Sequence, residues 1–210
     1  MTRIPVLAAI ASVALLGTTC SPSTDPIHPM TIGDVWNMST VTLHGTAIAT
    51  LDTVSTAAIT RTAVQKASLS NGREVVEFKD DTTVHTRAPD TTISTTGYFY
   101  VAEVGDTIKS YKSLDDTTGT IMLMSSPAAG QTWIEGTTTA TVVGQEAVTV
   151  PAGTYKRAWK VKLAVSRGGL AFDIYEWYAR GTGLVKVYYD ASYGGSERVF
   201  DEELTSATIK

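Results

Sequence analysis

The residue types that most often catalyse reactions or bind metals are few in this sequence and stand far apart. Its three histidines, His28, His44 and His85, have no second histidine or cysteine at the spacing that metal ligands require, and Cys20 is the only cysteine. The sequence contains none of the motifs G-x-S-x-G, S-x-x-K and H-E-x-x-H. We therefore predict no metal, no cofactor and no catalytic residue, and we interpret each histidine as solvated or structural.

Two pairs of adjacent acidic residues are the remaining candidates for polar chemistry. Asp80 with Asp81, and Asp115 with Asp116, fall in predicted turns, where aspartate is favoured because its side chain bonds to the local backbone. Neither pair belongs to a D-x-D-x-D-G calcium loop. In a glycosidase the two catalytic carboxylates can be distant in sequence and come together only in the folded protein. A hydrolase is therefore a weaker alternative.

Aromatic side chains are more abundant than reactive ones and concentrate on predicted strands. Tyr98 and Tyr100 flank a phenylalanine on one strand, and Tyr175 and Trp177 lie close together on another. Consecutive aromatic residues on a strand project to both faces of a sheet, so one face is core and the other is free to line a pocket. We predict that these four residues and Trp133 line an apolar ligand site; the alternative is that they are ordinary core residues.

The first twenty residues have the organisation of an export signal. The basic residue Arg3 precedes an apolar run over residues 4–16, and small residues then lead to Cys20. The apolar run is shorter than the ~20 residues that a membrane-spanning helix needs. We predict a signal peptide over residues 1–19 and lipid attachment at Cys20, as in bacterial lipoproteins. An ordinary secretory signal is the alternative, because Leu16 lies one position too far upstream of the cysteine.

The rest of the chain divides into a short tether and one domain. Residues 20–30 contain three prolines and no periodic pattern, which is typical of a flexible tether. Residues 31–210 are enough for a single domain with its own core. The net charge is −4 and no basic patch stands out, so nucleic acid is not an expected partner.

The composition and residue patterns of this domain indicate strands. Threonine alone accounts for 34 of the 210 residues, and threonine, valine and aromatic residues favour sheets. The dipeptide Asn71-Gly72 predicts a two-residue hairpin turn. Over residues 154–165, Trp159 and Val161 alternate with lysines, which predicts one buried and one solvent-facing side. We predict an all-β fold: an antiparallel meander of about ten strands forming a curved sheet, an open barrel or a sandwich.

Three motifs follow one another along the predicted domain. They are Gly130-x-Thr132-Trp133, Val148-x-Val150-Pro151-Ala152-Gly153-Thr154-Tyr155 and Tyr175-x-Trp177-Tyr178-Ala179-x-Gly181-x-Gly183-Leu184-Val185-Lys186. This pattern resembles that of bacterial cell-envelope lipoproteins and covers roughly residues 30–190. The resemblance implies a lipid-anchored β-domain, in some members similar to the LolA-like lipoprotein-carrier fold, in which a curved antiparallel sheet surrounds an apolar cavity. It implies no particular activity.

Together these features predict a lipid-anchored protein of the bacterial cell envelope, at the outer membrane, its periplasmic face or the cell surface. The expected partners are the membrane, reached through the anchor, and an apolar small molecule, lipid or glycan. The expected role is non-catalytic: binding or carrying an apolar or amphiphilic ligand, or acting as an envelope assembly factor. The alternative is a surface module that binds glycans or proteins. A hydrolase is a weaker alternative.

Overall fold

The computed structural model describes residues 24–167 and 170–210, and these residues form one antiparallel sheet of twelve strands. The prediction of an all-β meander is confirmed, with twelve strands where the sequence indicated about ten. The only helical element of the described residues is a 3-10 turn at Ile48–Thr50, and none of their helices is long and apolar enough to cross a membrane. The strands are β1 (Val35–Gly45), β2 (Asp52–Ser68), β3 (Glu74–Arg87), β4 (Asp90–Val104), β5 (Thr107–Tyr111), β6 (Thr120–Met124), β7 (Thr132–Glu135), β8 (Thr138–Val150), β9 (Gly153–Arg167), β10 (Leu170–Ala179), β11 (Gly183–Tyr193) and β12 (Ser196–Thr208).

The sheet curls into an open barrel whose two edges come from the middle of the chain. Each strand pairs with the next one in sequence except β6 with β7, and β1 also pairs with β12. Strands β6 and β7 are therefore the edges, and side chains connect them across a seam. The backbone N–H of Ile121 donates to Glu135 Oε1 over 2.9 Å, and Trp133 Nε1 donates to the Ile121 carbonyl over 3.3 Å. The barrel is thus joined at the seam by side-chain hydrogen bonds instead of a backbone ladder.

Alternation along β1 shows which face of the sheet is enclosed. Trp36, Met38, Thr40 and Thr42 are buried, and the residues between them are more exposed. Successive side chains on a strand point to opposite faces, so these four residues mark the interior of the barrel. A residue on another strand that is in register with one of these four also points into the barrel.

The interior is packed differently at its two ends. At the lower end, which we define by Trp36 at the start of β1, large apolar side chains such as Phe78 and Leu204 are completely buried. Toward the upper end, defined by Gly45 at the end of β1, the interior residues of β1 are two threonines. A barrel of about eight strands is just narrow enough for side chains to fill, so small side chains in a twelve-stranded sheet leave open space.

The segment before β1 enters the lower end and packs into the core. Ile27, His28 and Pro29 are buried, and Ile27 is 2% exposed. Gly181 N, in the turn between β10 and β11, donates to the Pro26 carbonyl over 2.8 Å. The tether predicted for residues 20–30 was therefore too long, because prolines and a lack of periodicity do not reveal burial. We call residues 27–30 the plug.

The acidic pair at Asp80 and Asp81 lies in the middle of β3, so the prediction that it occupies a turn was wrong. The strand continues to Arg87 because residues 82–86 are mostly β-branched and pair with strands on both sides. The second pair, Asp115 and Asp116, does lie in a loop.

The predicted faces of β9 are confirmed for the centre of the strand. Val161 is completely buried, and Leu163 packs against the same core cluster. The Lys162 side chain, 39% exposed, points to the outside. Trp159, predicted on the buried face, is only half-buried because it lies near the lower end.

We predict that Ile27→Ala destabilises the protein by about 2–5 kcal/mol, the usual cost of truncating an aliphatic side chain in a packed core. Urea denaturation of the mature chain measures the change. The control is Ile32→Ala, because Ile32 is 38% exposed, and its effect should stay below about 1 kcal/mol. Equal effects of the two substitutions would show that the plug does not pack in solution.

Candidate ligand-binding site

A layer of charged side chains crosses the interior next to the plug. Arg61 on β2 and Asp80 on β3 are register partners, and Arg61 Nε and Nη2 donate to the two Asp80 carboxylate oxygens over 2.8 and 2.7 Å. The Arg61 guanidinium also lies 5.0 Å from the centre of the Phe99 ring. Burial opposes the charge on Arg61, but the hydrogen bonds and charge of Asp80 outweigh burial and raise the Arg61 pKa. Two parallel hydrogen bonds fix the guanidinium in one orientation.

Two carboxyl groups belong to the same layer, Glu176 on β10 and Glu202 on β12. Both are register partners of Val187 on β11, so they occupy one row on one face of the sheet. Burial raises the pKa of Glu176 even though the Tyr178 hydroxyl donates to Glu176 Oε2 over 2.7 Å, and the charge of Glu202 raises it further. Burial also raises the pKa of Glu202, against the opposing charge of Arg61. These carboxyl groups keep a proton to higher pH than exposed ones do.

His28 of the plug lies beside this layer at the lower end. Its ring stacks on Trp36 with ring centres 6.4 Å apart and packs against Phe78 at 5.8 Å. Neither ring nitrogen has a hydrogen-bond partner among the described residues. Burial lowers the His28 pKa from 6.5 to about 4, and the charge of Arg61 acts in the same direction. The imidazole is therefore neutral at neutral pH and is held by ring packing.

A cavity of about 340 Å³ lies beside the seam. Glu135, Glu176 and Tyr178 are among its polar lining residues, and Trp133, Met122 and Leu163 are among its apolar ones. Two glutamates, one tyrosine and one tryptophan are therefore among the residues that a small molecule in this cavity would meet. We call it the seam cavity.

A larger cavity, of about 630 Å³, opens at the upper end of the barrel. Leu170, Phe172 and Tyr189 are its largest apolar lining residues. The rings of Phe172 and Tyr189 have centres 5.5 Å apart, and Tyr189 stacks on Phe200 at 5.2 Å. His44 and Arg198, which are register partners on β1 and β12, add polar groups to the lining. The volume falls within the range of about 300–1,000 Å³ that is typical of small-molecule sites. We call it the upper cavity.

Arg198 gives the upper cavity a positive charge. Within the part of the chain that the structure describes, Arg198 forms no salt bridge. Aromatic walls favour burial of hydrocarbon, and a guanidinium favours a carboxylate or phosphate. The arrangement therefore suits a molecule with an apolar body and an anionic group. The described residues include no group of three or more His, Cys, Asp or Glu side chains placed to hold a metal ion.

Tyr98 and Tyr100, two of the predicted pocket residues, lie on the outer face of the barrel. Phe99 between them pairs with Phe78 in the interior, so the residues on either side of it point outwards. Tyr98 is 53% exposed, and Tyr100 packs against a small outer cluster that contains Tyr111. Neither tyrosine lines the upper cavity or the seam cavity.

Tyr175 and Trp177 also lie on the outer face, because they alternate with the interior residue Glu176. Lys160 Nζ lies 4.8 Å from the centre of the Tyr175 ring and 5.0 Å from that of Trp177. Trp177 Nε1 donates to Glu146 Oε1 over 2.8 Å, and the residue is only 7% exposed. This pair is packed under polar neighbours and lines neither interior cavity.

Trp133 is the one predicted pocket residue that lines an interior cavity, where it forms part of the wall beside the seam. Cys20, the predicted lipid attachment site, lies outside the described residues. Clusters of aromatic residues located strands correctly, but they did not show which face of each strand is enclosed. The structure therefore does not bring the five predicted residues together.

The residues that do line the interior were missed, although the sequence contains a signal for them. Phe172 lies three residues before Tyr175, Tyr189 directly follows Tyr188, and Glu176 lies between Tyr175 and Trp177. On β12, Phe200, Glu202 and Leu204 are spaced two apart, so an acidic residue shares a face with two apolar ones. A charged residue in such a row is the pattern expected of a wall that faces a polar interior.

We predict that His28→Leu removes part of the pH dependence of stability. The His28 pKa is about 4 in the folded protein and 6.5 in the unfolded chain, so between these pH values the unfolded chain binds the extra proton. The wild type therefore loses stability as pH falls from about 6.5 to about 4, by roughly 3 kcal/mol at 1.36 kcal/mol per pKa unit.

Urea unfolding at pH 7 and pH 4 tests this expectation. The unfolding free energy of the variant relative to wild type should rise by about 3 kcal/mol on acidification. Glu176 and Glu202, whose raised pKa values act in the opposite sense, are present in both proteins and cancel in the comparison. A difference between the two proteins that does not change with pH would contradict the neutral buried histidine.

Comparison with known proteins finds similar folds but identifies no activity. No protein-family profile matches the sequence, and a search of curated proteins finds no match. The structure is similar to the crystal structure of a "putative lipoprotein" from Parabacteroides distasonis, with a TM-score of 0.50 and 12% identity over 89% of this chain and 100% of that one. A "putative exported protein" with a YmcC-like fold from Bacteroides fragilis gives a TM-score of 0.41 and 13% identity over 88% of this chain and 99% of that one. The first likeness confirms the resemblance in fold to an all-β lipoprotein domain.

Proposed function

We propose that the protein is exported and held in the bacterial cell envelope by acyl chains on Cys20. The export-signal pattern of residues 1–19 supports this proposal, as does the fold shared with a protein described as a "putative lipoprotein". The burial of Ile27 leaves only a short connection between Cys20 and the folded domain. A multiply acylated cysteine anchors a protein stably without a spanning helix.

In this proposal the domain binds an amphiphilic molecule and catalyses no reaction. The observation that carries the proposal is the upper cavity, with Phe172 and Tyr189 in its wall and with Arg198, which forms no salt bridge among the described residues. The apolar body of the ligand lies against the two rings, and its anionic group pairs with the guanidinium. Burial of about eight CH₂ groups contributes ~6 kcal/mol, which corresponds to a Kd of tens of micromolar.

A hydrolase would use Glu176 and Glu202 as acid and base, since buried carboxyl groups with raised pKa values occur at catalytic sites. The contacts of the layer favour a structural role instead. Glu176 already accepts a hydrogen bond from Tyr178, and Arg61 Nε and Nη2 both donate to Asp80. A binding protein therefore remains the better supported proposal.

A glycan-binding module would need an exposed aromatic platform on which a sugar can stack. Of the predicted aromatic residues on the outer face, Trp177 is 7% exposed and Lys160 lies over its ring. Tyr98, at 53% exposure, is the most open of them, and one phenol makes a small platform. The outer face therefore supports glycan stacking less well than the upper cavity supports an amphiphile.

We predict that Ala191→Trp abolishes binding of a dansyl-labelled fatty acid. Ala191 lines the upper cavity, so an indole at this position fills the space proposed for the ligand. Fluorescence titration of the mature chain with Cys20→Ser measures binding. The matched control is Ala58→Trp, which adds the same side chain at an exposed position of β2 and should bind like wild type.

Arg198→Gln separates the charge of the cavity from its shape. It should weaken fatty-acid binding about tenfold, the usual loss for a hydrogen bond to a charged group, and leave the methyl ester unaffected. Near-UV circular dichroism verifies that each variant is folded. Saturable binding by Ala191→Trp, or its absence in the wild type, is the outcome that rejects the upper cavity as a ligand site.

We predict further that the mature protein begins with an acylated Cys20. Mass spectrometry of the protein isolated from membranes should show that residue modified, and Cys20→Ser should release the protein from the membrane fraction. An unmodified chain that starts at another residue would show that the signal is an ordinary secretory one.

A further inference from the structure

The described chain begins beside a pocket with basic residues at the lower end of the barrel. Arg180 Nη1, in the turn between β10 and β11, donates to the Asp25 carbonyl over 3.0 Å. Arg180 also lines a pocket of about 500 Å³. The other lining residues are Gln145, Tyr155, Lys156, Arg157, Trp159 and Ala179. The chain therefore leaves the domain toward Cys20 next to this pocket, which we call the basic pocket.

The basic pocket holds a local excess of positive charge on a protein whose net charge is −4. Lys156 and Arg157 are exposed, and neither forms a salt bridge within the described residues. Five lysines elsewhere are paired with carboxylates: Lys66, Lys79, Lys160, Lys162 and Lys186. The described residues that line the pocket include no acidic residue. The pocket can therefore attract an anion.

Two half-buried aromatic residues, Tyr155 and Trp159, accompany the cations in this pocket. Trp159 Nε1 has no hydrogen-bond partner among the described residues. Tyrosine and tryptophan concentrate where a membrane meets water, because each has an apolar ring and a polar group. The combination of cations and such rings fits a surface that is partly polar and partly hydrocarbon.

The anchor proposed above fixes how far the basic pocket lies from the membrane, and this step rests on that proposal. Four residues lead from Cys20 to Thr24, the first described residue. An extended chain spans at most about 3.6 Å per residue, so this connection reaches ~14 Å. The lower end of the barrel therefore stays close to the lipid headgroups.

We propose that the basic pocket docks on the headgroups of anionic phospholipids in the membrane that holds the anchor. Lys156 and Arg157 pair with headgroup phosphates, and Tyr155 and Trp159 lie at the level of the headgroups. Docking in this way places the lower end on the membrane and directs the upper cavity away from it.

Vesicle co-sedimentation of the unacylated mature chain, with Cys20→Ser, tests the pocket without the anchor. The protein should bind vesicles of 30% phosphatidylglycerol in phosphatidylcholine and leave pure phosphatidylcholine vesicles largely unbound. Lys156→Gln and Arg157→Gln should each weaken this binding about fivefold, and added salt should weaken it in the wild type. The matched control is Arg87→Gln, which removes the same charge from an exposed position at the upper end and should bind like wild type.

Equal binding to both kinds of vesicle, or equal losses for Arg87→Gln and Arg157→Gln, would overturn the proposal. Release of the protein by inorganic phosphate at constant ionic strength would also overturn it, because the pocket would then be a site for a free anion. Fatty-acid titration of the upper cavity and the mass of the mature N-terminus do not depend on Lys156 or Arg157. A failure of this proposal is therefore distinguishable from a failure of the proposed function.

Discussion

The space enclosed by a twelve-stranded curled sheet is the constraint on which the rest of this structure depends. Side chains alone fill a smaller barrel, and an unfilled interior loses the dispersion contacts of its lining. At the lower end the chain supplies its own filling, since Ile27 and the ring of His28 complete a core built on Trp36 and Phe78. No described segment enters the upper end in the same way, and the upper cavity remains there.

The charged layer shows how the interior changes from packed to open. Burying a charge without a partner is costly, so a buried charge needs a partner of opposite charge. Asp80 is that partner for Arg61. Glu176 and Glu202 form no salt bridge with any described residue, and burial shifts their pKa values upward. A layer of this kind contributes less to stability than apolar packing would. Its hydrogen bonds instead fix the positions of polar groups beside the open part of the barrel.

The sequence was sufficient to predict the fold class but not the site. The reason is that the pattern along a strand shows where the strand lies but not which of its faces is enclosed. Composition and alternation located most strands, and Asn71-Gly72 marked the hairpin between β2 and β3. Its turn is longer than predicted, because Gly72 N donates to the Leu69 carbonyl and the strands pair only from Ser68. The enclosed face of a strand depends on which way the whole sheet curls, and no local pattern around Trp177 records that. The burial of His28 likewise depends on a turn far away in sequence.

The pairing of β1 with β12 has a consequence for how the protein reaches its folded state. Val35 pairs with Thr208, so the first and last strands of the domain are neighbours although almost the entire domain separates them in sequence. Contacts between such distant segments form slowly, because the long intervening loop must lose its freedom first. A chain that is synthesised N-terminus first exposes one edge of β1 until β12 arrives. Release of the complete chain is therefore a precondition for closing the sheet, and loss of β12 would leave both β1 and β11 with an open edge.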